Sequence, residues 1–326
     1  MKNCFARSPT HRQPERTSGR AALLLVVFSI VPLLLQGCAS SPKKTGPTAS
    51  TDLLLAEALR QYIDHRDPAQ GLAMAQLAVK RAPERADALW ILMQICSGAS
   101  GCQPEPLEAQ FRKLDPTNGA VWLGPLNRAT QRGNVAEADQ ILEAIARSQR
   151  IDLGWNGLIV KLSTALAERA RTNPPANKPP SAPKTPLSDA LNDSVGLLSR
   201  VALPALQPIS ESCSSRRLVD RLVAARCLLV GSVLQRSDTY VAESMGLGIM
   251  QRLAATDSVE TAKVEQRIVN ARYQHDAAGA IITGQTEKDR FATELLDLMR
   301  KQRREQDVFV AVIRWAGQPL SPAPNR

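Results

Sequence analysis

Short helical patterns follow one another in pairs through the first half of this 326-residue chain. Most connections between them have two to six residues, which is typical of antiparallel helices that pack side by side. Trp90, Trp122 and Trp155 lie 32 and 33 residues apart, and Pro83 and Pro116 lie 33 residues apart. A period of about 34 residues with two helices per unit predicts a helical solenoid. The predicted helices are Asp52–Arg66, Ala69–Arg81, Arg85–Cys96, Pro106–Lys113, Gly119–Arg132, Val135–Ser148 and Leu153–Arg171.

One unit of this pattern has Trp122 early in its first helix, Gly133 in the turn, and Ala138 and Leu142 in its second helix. This arrangement resembles the tetratricopeptide repeat, a helix–turn–helix unit of about 34 residues, and the resemblance covers about 120 residues. The middle unit of the three departs from the family pattern, because the seven-residue segment Cys96–Cys102 replaces the usual tight turn. An earlier unit offers matching residues, namely Tyr62, Gly71, Ala75, Ala78 and Pro83.

The resemblance implies that the first helix of each pair lines a concave face, on which exposed side chains bind another protein or an extended peptide. Arg60, Asn127 and Thr130 fall on that face and are the predicted partner-binding residues. Plain surface positions are the alternative interpretation for all three. The expected fold is therefore all-α, with a tetratricopeptide-like solenoid over residues 52–172.

A proline-rich segment, 173–186, has six prolines in 14 residues and predicts a spacer, since proline removes amide donors and fixes φ. A second helical module without repeat periodicity is predicted over 187–317, and a disordered tail over 318–326. Its predicted helices are Ser188–Ala202, Leu218–Gln235, Thr239–Ala255, Glu260–Asp276, Glu287–Arg304 and Gln306–Trp315.

The first 37 residues have the layout of a secretory signal peptide, with basic residues followed by an apolar run from Ala21 to Leu35. That run has 15 residues, fewer than the roughly 20 that a membrane-spanning helix needs. The segment 38–51 has no apolar periodicity and predicts a flexible tether.

The four residues Leu35-Gln36-Gly37-Cys38 resemble the lipobox of bacterial lipoproteins. The resemblance implies that the leader is removed and that Cys38 carries fatty acyl chains such as palmitate on its sulfur and its amine. A plain signal peptide with an incidental cysteine is the alternative. In the lipoproteins that this resembles, Asp after the cysteine marks retention in the inner membrane. Because Ala39 stands there, the expected location is the outer membrane, anchored through lipid and facing the periplasm.

The composition excludes several classes of protein. Aromatic residues are only 4% and helix formers recur throughout, which disfavours an all-β fold. The net charge is +10, but the leader contributes five basic residues and one acidic residue, which leaves +6 for the rest and favours no nucleic-acid partner. The basic run at 300–304 falls in a predicted last helical turn, where the helix dipole favours cations. No glycine-rich phosphate loop is present, so neither a nucleotide nor another cofactor is expected.

Four cysteines remain after the leader and the lipobox are set aside, and an exported chain favours disulfides between them. Cys96 and Cys102 flank a loop with two glycines that is able to bring them together. Cys213 and Cys227 can pair if the segment 208–217 is extended and folds back along a helix that starts near Leu218. A zinc site is the alternative, but the chain lacks CxxC spacing and a nearby histidine, so no metal is expected.

One segment resembles a catalytic signature. Glu243-Ser244 with residues 246–251 faintly resembles the Glu-Ser and Gly-Leu-Met-Gln elements of lytic transglycosylases, which a loop of a dozen or more residues separates in that family. Here the two elements are fused within one predicted helix, so Glu243 is expected to be a solvent-facing or capping carboxylate. His65 and His275 lie near predicted helix ends without a nucleophile motif. The expected function is a non-enzymatic scaffold or adaptor; the alternative is a peptidoglycan-associated enzyme or its activator.

Overall fold

The computed structural model describes residues 49–64, 67–172, 186–254, 258–285 and 288–323. Within these ranges the chain forms 13 α-helices and one 3-10 helix and contains no strand, which confirms the all-α class. These described ranges belong to one compact unit.

The first half of this unit follows the predicted helices closely. Its helices are α1 (Thr51–Ile63), α2 (Pro68–Arg81), α3 (Ala86–Gly98), α4 (Glu105–Leu114), a 3-10 helix (Gly119–Trp122), α5 (Leu123–Gln131), α6 (Val135–Ala146) and α7 (Trp155–Thr172). Local capping explains several starts, because the Asp67 side chain accepts from Gln70 N at 2.9 Å and that of Asn134 accepts from Glu137 N at 3.2 Å. Gly133 ends the α5–α6 turn with a φ of +64°, a conformation that favours glycine.

Small residues allow α1 and α2 to approach closely. A Cβ at Gly71 would lie 3.0 Å from the backbone oxygen of Ala58, and Ala75 and Ala78 on the same helix are fully buried. Hydrogen bonds also join positions one predicted period apart. Arg85 Nη1 donates to Asp52 Oδ1 at 2.5 Å across 33 residues. This bond joins the first turn of α1 to the residue that precedes α3.

The second half is built from α8 (Pro186–Ser212), α9 (Arg221–Gln235), α10 (Tyr240–Leu253), α11 (Ser258–Thr283), α12 (Lys288–Lys301) and α13 (Glu305–Trp315). The expectation that a helix ends at Ala202 was wrong, because α8 continues through Pro204 and Pro208. Each proline removes one backbone hydrogen bond, but burial of Leu206 and Ile209 on the same segment offsets that loss.

Helix α8 packs against helices from both halves, namely α1, α5, α6, α7, α10 and α12. In a one-dimensional solenoid each unit would contact only its neighbours. The two segments that flank the predicted spacer thus share one core, whereas most of the spacer itself, 173–185, lies outside the described residues.

The C-terminal tail, expected to be disordered over 318–326, is described as far as residue 323, where contacts fix it. Gln318 N donates to the Ile313 oxygen at 3.1 Å, and Gln274 Nε2 donates to the Leu320 oxygen at 3.0 Å. Leu320 also packs against the core, so both polar and apolar contacts fix this segment on the second half.

Candidate functional site: a charged cavity around Arg60

A cavity of about 580 Å³ opens between α1, α7 and α8. Most of its lining is charged, with three arginines and three carboxylates among ten residues. The residues are Glu57, Arg60, Gln61, Asp64, Arg169, Asn192, Asp193, Gly196, Leu197 and Arg200. The cavity therefore presents charges of both signs on three packed helices.

Arg60 bridges two of these helices. Its Nη1 donates to Glu57 Oε1 at 3.0 Å on α1, and its Nη2 donates to Asp193 Oδ2 at 2.7 Å on α8. Glu57 is largely buried and also contacts the guanidinium of Arg169 from α7. The Asp193 side chain is 58% exposed, so solvent and solutes reach the Arg60–Asp193 pair.

A second arginine holds the edge of the cavity. Arg200 Nη2 donates to the Ile63 oxygen at 3.3 Å, where α1 ends, and its Nη1 lies 3.6 Å from Asp64 Oδ1. The Arg200 side chain remains 59% exposed. Screening by solvent makes such a pair weak.

The three residues predicted to bind a partner are not brought together here. Arg60 lines the cavity, but Asn127 and Thr130 are not among its lining residues. The Thr130 hydroxyl donates to the Leu126 and Asn127 backbone oxygens at 3.0 and 2.8 Å, within its own helix. The Asp193 partner of Arg60 lies 133 residues away and has no local signal in the sequence, whereas Glu57 stands one helical turn before Arg60.

The cysteines form the two expected pairs. Cys96–Cys102 has a Cα–Cα distance of 5.3 Å and Cys213–Cys227 one of 5.7 Å, which confirms both disulfides. The expected route for the second pair was wrong. Instead of an extended segment along a helix, Cys213 directly follows α8, and a short turn leads into α9, where Cys227 lies in the second turn.

Glu243 is buried rather than solvent-facing, which corrects the expectation from the sequence. Its Oε2 accepts from Arg304 Nη2 at 3.5 Å, and its Oε1 lies 3.6 Å from Arg267 Nη2. Each carboxylate oxygen therefore faces a guanidinium. Arg304 belongs to the basic run at 300–304, whose last residues lie beyond α12 rather than in its last turn.

Three loops meet at the start of α7, and this cluster is called the three-loop junction: residues 153–156, 236–240 and 302–306. Fully buried Asp238 accepts from Leu153 N at 3.0 Å and from Trp155 N at 2.8 Å, so it caps α7 from another part of the chain. Burial and the nearby Asp152 carboxylate raise the pKa of Asp238 to about 7, against the effect of these N–H donors.

Glu305 is the second carboxylate of the three-loop junction. It accepts from Tyr240 N at 2.7 Å and from Trp155 Nε1 at 3.0 Å, and burial raises its pKa. The backbone N–H of Glu305 donates to the backbone oxygen of Asp238 at 2.9 Å. The His275 ring stacks on Tyr240 with centroids 4.3 Å apart beside this cluster. Both carboxylates of the junction join helix ends, and sequence patterns did not reveal them.

Cys38 and His65 lie outside the described residues. Within the described ranges no group of His, Cys, Asp and Glu side chains could hold a metal ion. None of the helices in those ranges combines the length and the apolar character needed to cross a membrane. Comparison with protein-family models, with curated proteins and with solved structures gave no match.

Proposed function

We propose that this protein is a lipoprotein anchored through Cys38 in the outer membrane, where it faces the periplasm and binds a protein or peptide partner as a scaffold. The observation that carries the binding role is the charged cavity around Arg60. The lipobox-like segment supports the anchor, and two disulfides support an oxidising compartment. No cofactor takes part in this proposal.

The helix pairs of residues 52–172 are, on this proposal, divergent tetratricopeptide-like units. Support comes from the Arg85–Asp52 bond across 33 residues and from the Asn118–Asp152 bond across 34 residues. The close contact of Gly71 with α1 adds to it. The later helices fold back on this array through α8, so the binding surface differs from an open groove.

The cavity favours a peptide that carries charges of both signs. Arg60 and Arg200 offer guanidiniums that a ligand carboxylate can approach, and Asp193 offers an exposed carboxylate for a ligand cation. Rigid helices hold all three side chains, which lowers the entropy lost on binding. Hydrolysis of peptidoglycan is less well supported, because both oxygens of Glu243 face arginines.

The experiment is photo-crosslinking in living cells with an unnatural amino acid in place of Gln61, which lines the cavity. Gln131, an exposed residue at the end of α5, is the matched control position. We expect a partner adduct at position 61 and none at position 131. We also expect Arg60→Gln to reduce the amount of the adduct at position 61 several-fold.

Equal adducts at both positions would contradict a specific site. Release of soluble fragments from peptidoglycan by the purified protein, abolished by Glu243→Gln, would establish the alternative enzyme. Labelling with an alkyne fatty acid tests the anchor separately, since Cys38→Ser should remove the label.

A further inference from the structure

The outer surface of α9 and the turn before it carry aliphatic side chains exposed to solvent. Val219 is 84% exposed, Leu222 69% and Leu229 53%, and Leu228 is exposed beside them. Isolated exposed leucines are ordinary, but four aliphatic residues within 11 positions form a patch. This patch and the two arginines beside it are called the apolar–arginine face, which consists of Arg216, Val219, Arg221, Leu222, Leu228 and Leu229.

The opposite side of α9 explains why this face points outward. Val223, Cys227, Val230 and Leu234 are buried, and α9 packs through that side against α6 and α10. The Cys213–Cys227 disulfide ties the preceding turn to the helix. The disulfide lies on the buried side of α9, and the turn that holds Val219 leads from it directly into the helix.

The arginines of α9 and the turn before it fall into two groups. Arg217 and Arg226 pair with carboxylates of α6. Arg216 and Arg221 are exposed, and among the residues that the structure describes no carboxylate forms a salt bridge with either of them. Asp220, the acidic residue between them, accepts from the N–H groups that open α9. The two guanidiniums of the face are therefore available to an anion outside the protein.

We propose that the apolar–arginine face docks on the surface of an anionic lipid bilayer. Aliphatic side chains enter the headgroup boundary while guanidiniums bind lipid phosphates, as in amphipathic helices that lie on membranes. A second copy of this chain fits less well, because a two-fold contact centred on Leu222 would bring Arg221 of one copy close to Arg221 of the other. The strong exposure of Val219 and Leu222 shows side chains that project outward, which suits a soft planar surface.

The choice of a bilayer rests on the proposed anchoring at Cys38. The segment from Cys38 to α1 has 12 residues and spans at most about 40 Å, so an anchored protein stays close to the lipid. Docking would orient the molecule on the membrane, beyond what a flexible tether does.

The experiment uses residues 39–326, which contain the whole compact unit and carry no acyl chain. Failure of docking therefore leaves the anchoring proposal untouched. Co-sedimentation is measured with phosphatidylcholine vesicles that contain about 30% phosphatidylglycerol, and with phosphatidylcholine alone. We expect at least tenfold tighter binding to the anionic vesicles, weakened by added salt.

Leu222→Ser with Leu229→Ser should weaken that binding at least tenfold. Arg216→Gln with Arg221→Gln should weaken it about 25-fold, at roughly fivefold for each arginine near an anionic surface. The matched controls change exposed residues elsewhere: Val135→Ser with Val269→Ser, and Arg272→Gln with Arg314→Gln. All these positions are exposed, so circular dichroism should show unchanged helix content.

Equal weakening by the control pairs, or no binding to anionic vesicles, would overturn the proposal. Sedimentation that shows a dimer lost in the leucine variant, without vesicle binding, would assign the face to a second copy instead. A protein partner captured only through this face, again without vesicle binding, would also overturn the lipid assignment.

Discussion

Replacement of Asp238 by asparagine should remove a large part of the pH dependence of stability. The buried carboxyl has a pKa of about 7 in the folded protein, against an ordinary value of 3.8. Between these values the folded state holds a proton that the unfolded state has lost. Stability therefore falls as pH rises, and the loss is complete once pH exceeds the folded pKa. Each pH unit costs about 1.4 kcal/mol, so the loss between pH 5 and pH 8 is at most about 3 kcal/mol.

Asparagine imitates the protonated acid, because one oxygen still accepts from the start of α7 while the other atom no longer carries charge. Urea unfolding followed by circular dichroism at pH 5, 6, 7 and 8 measures the effect. We expect the difference in unfolding free energy between pH 5 and pH 8 to shrink by about 3 kcal/mol in Asp238→Asn. Glu305 has a raised pKa and remains in both proteins, so its contribution cancels in the comparison.

Asp220→Asn is the matched control, since Asp220 caps α9 at an exposed position and the change removes the same charge. Asparagine caps a helix about as well as aspartate, so the unfolding free energy of this variant at pH 7 should stay within a few tenths of a kcal/mol of the unmodified protein. Parallel pH curves for Asp238→Asn and the unmodified protein would refute the reasoning. They would mean that the amides at the start of α7 keep Asp238 ionised in the folded state.

Three further variants test the packing and the crosslinks. Gly246→Ala should destabilise by about 2 kcal/mol or more in urea unfolding, because its Cβ would lie 2.6 Å from the Gly231 oxygen on α9. Gly248→Ala on the same helix meets only a side-chain end at 3.9 Å and should stabilise by about 0.5 kcal/mol or more. Replacement of Cys213 and Cys227 by serine should cost about 3 kcal/mol in the loop-entropy account, measured in the same assay; an unchanged midpoint would contradict it.

The helices of the first half could be predicted because their ends carry local signals. Asp67 and Asn134 accept from the first turns of α2 and α6, and Gly133 takes the positive φ of a turn. Such signals act within a few residues, so a single sequence shows them. Arg60, which the repeat resemblance placed on a concave face, lines the cavity, but its partner Asp193 reaches it from α8.

The predictions that were wrong concern features that depend on contacts between distant segments. Pro204 and Pro208 predict a helix end by local rules, yet buried neighbours keep α8 continuous. Glu243 was expected to face solvent or to cap a helix, but it pairs with Arg267 from α11 and with Arg304 from the loop after α12. Asp238 caps a helix that begins 83 residues earlier. No repeat period or sequence motif predicts these contacts.

We expect that the two helical modules predicted from the sequence do not fold separately. Helix α8 buries one side against α1, α5 and α7, and Asp238 of the second half caps α7 of the first. A fragment of residues 49–172 would expose those apolar faces and leave the first N–H groups of α7 without that cap. We expect the fragment alone to show broad, non-cooperative unfolding by circular dichroism, and mixing it with residues 186–326 to restore a sharp transition. A cooperative transition of the isolated fragment, at the temperature of the whole protein, would show instead that the helix pairs fold as an independent array and that α8 only covers them.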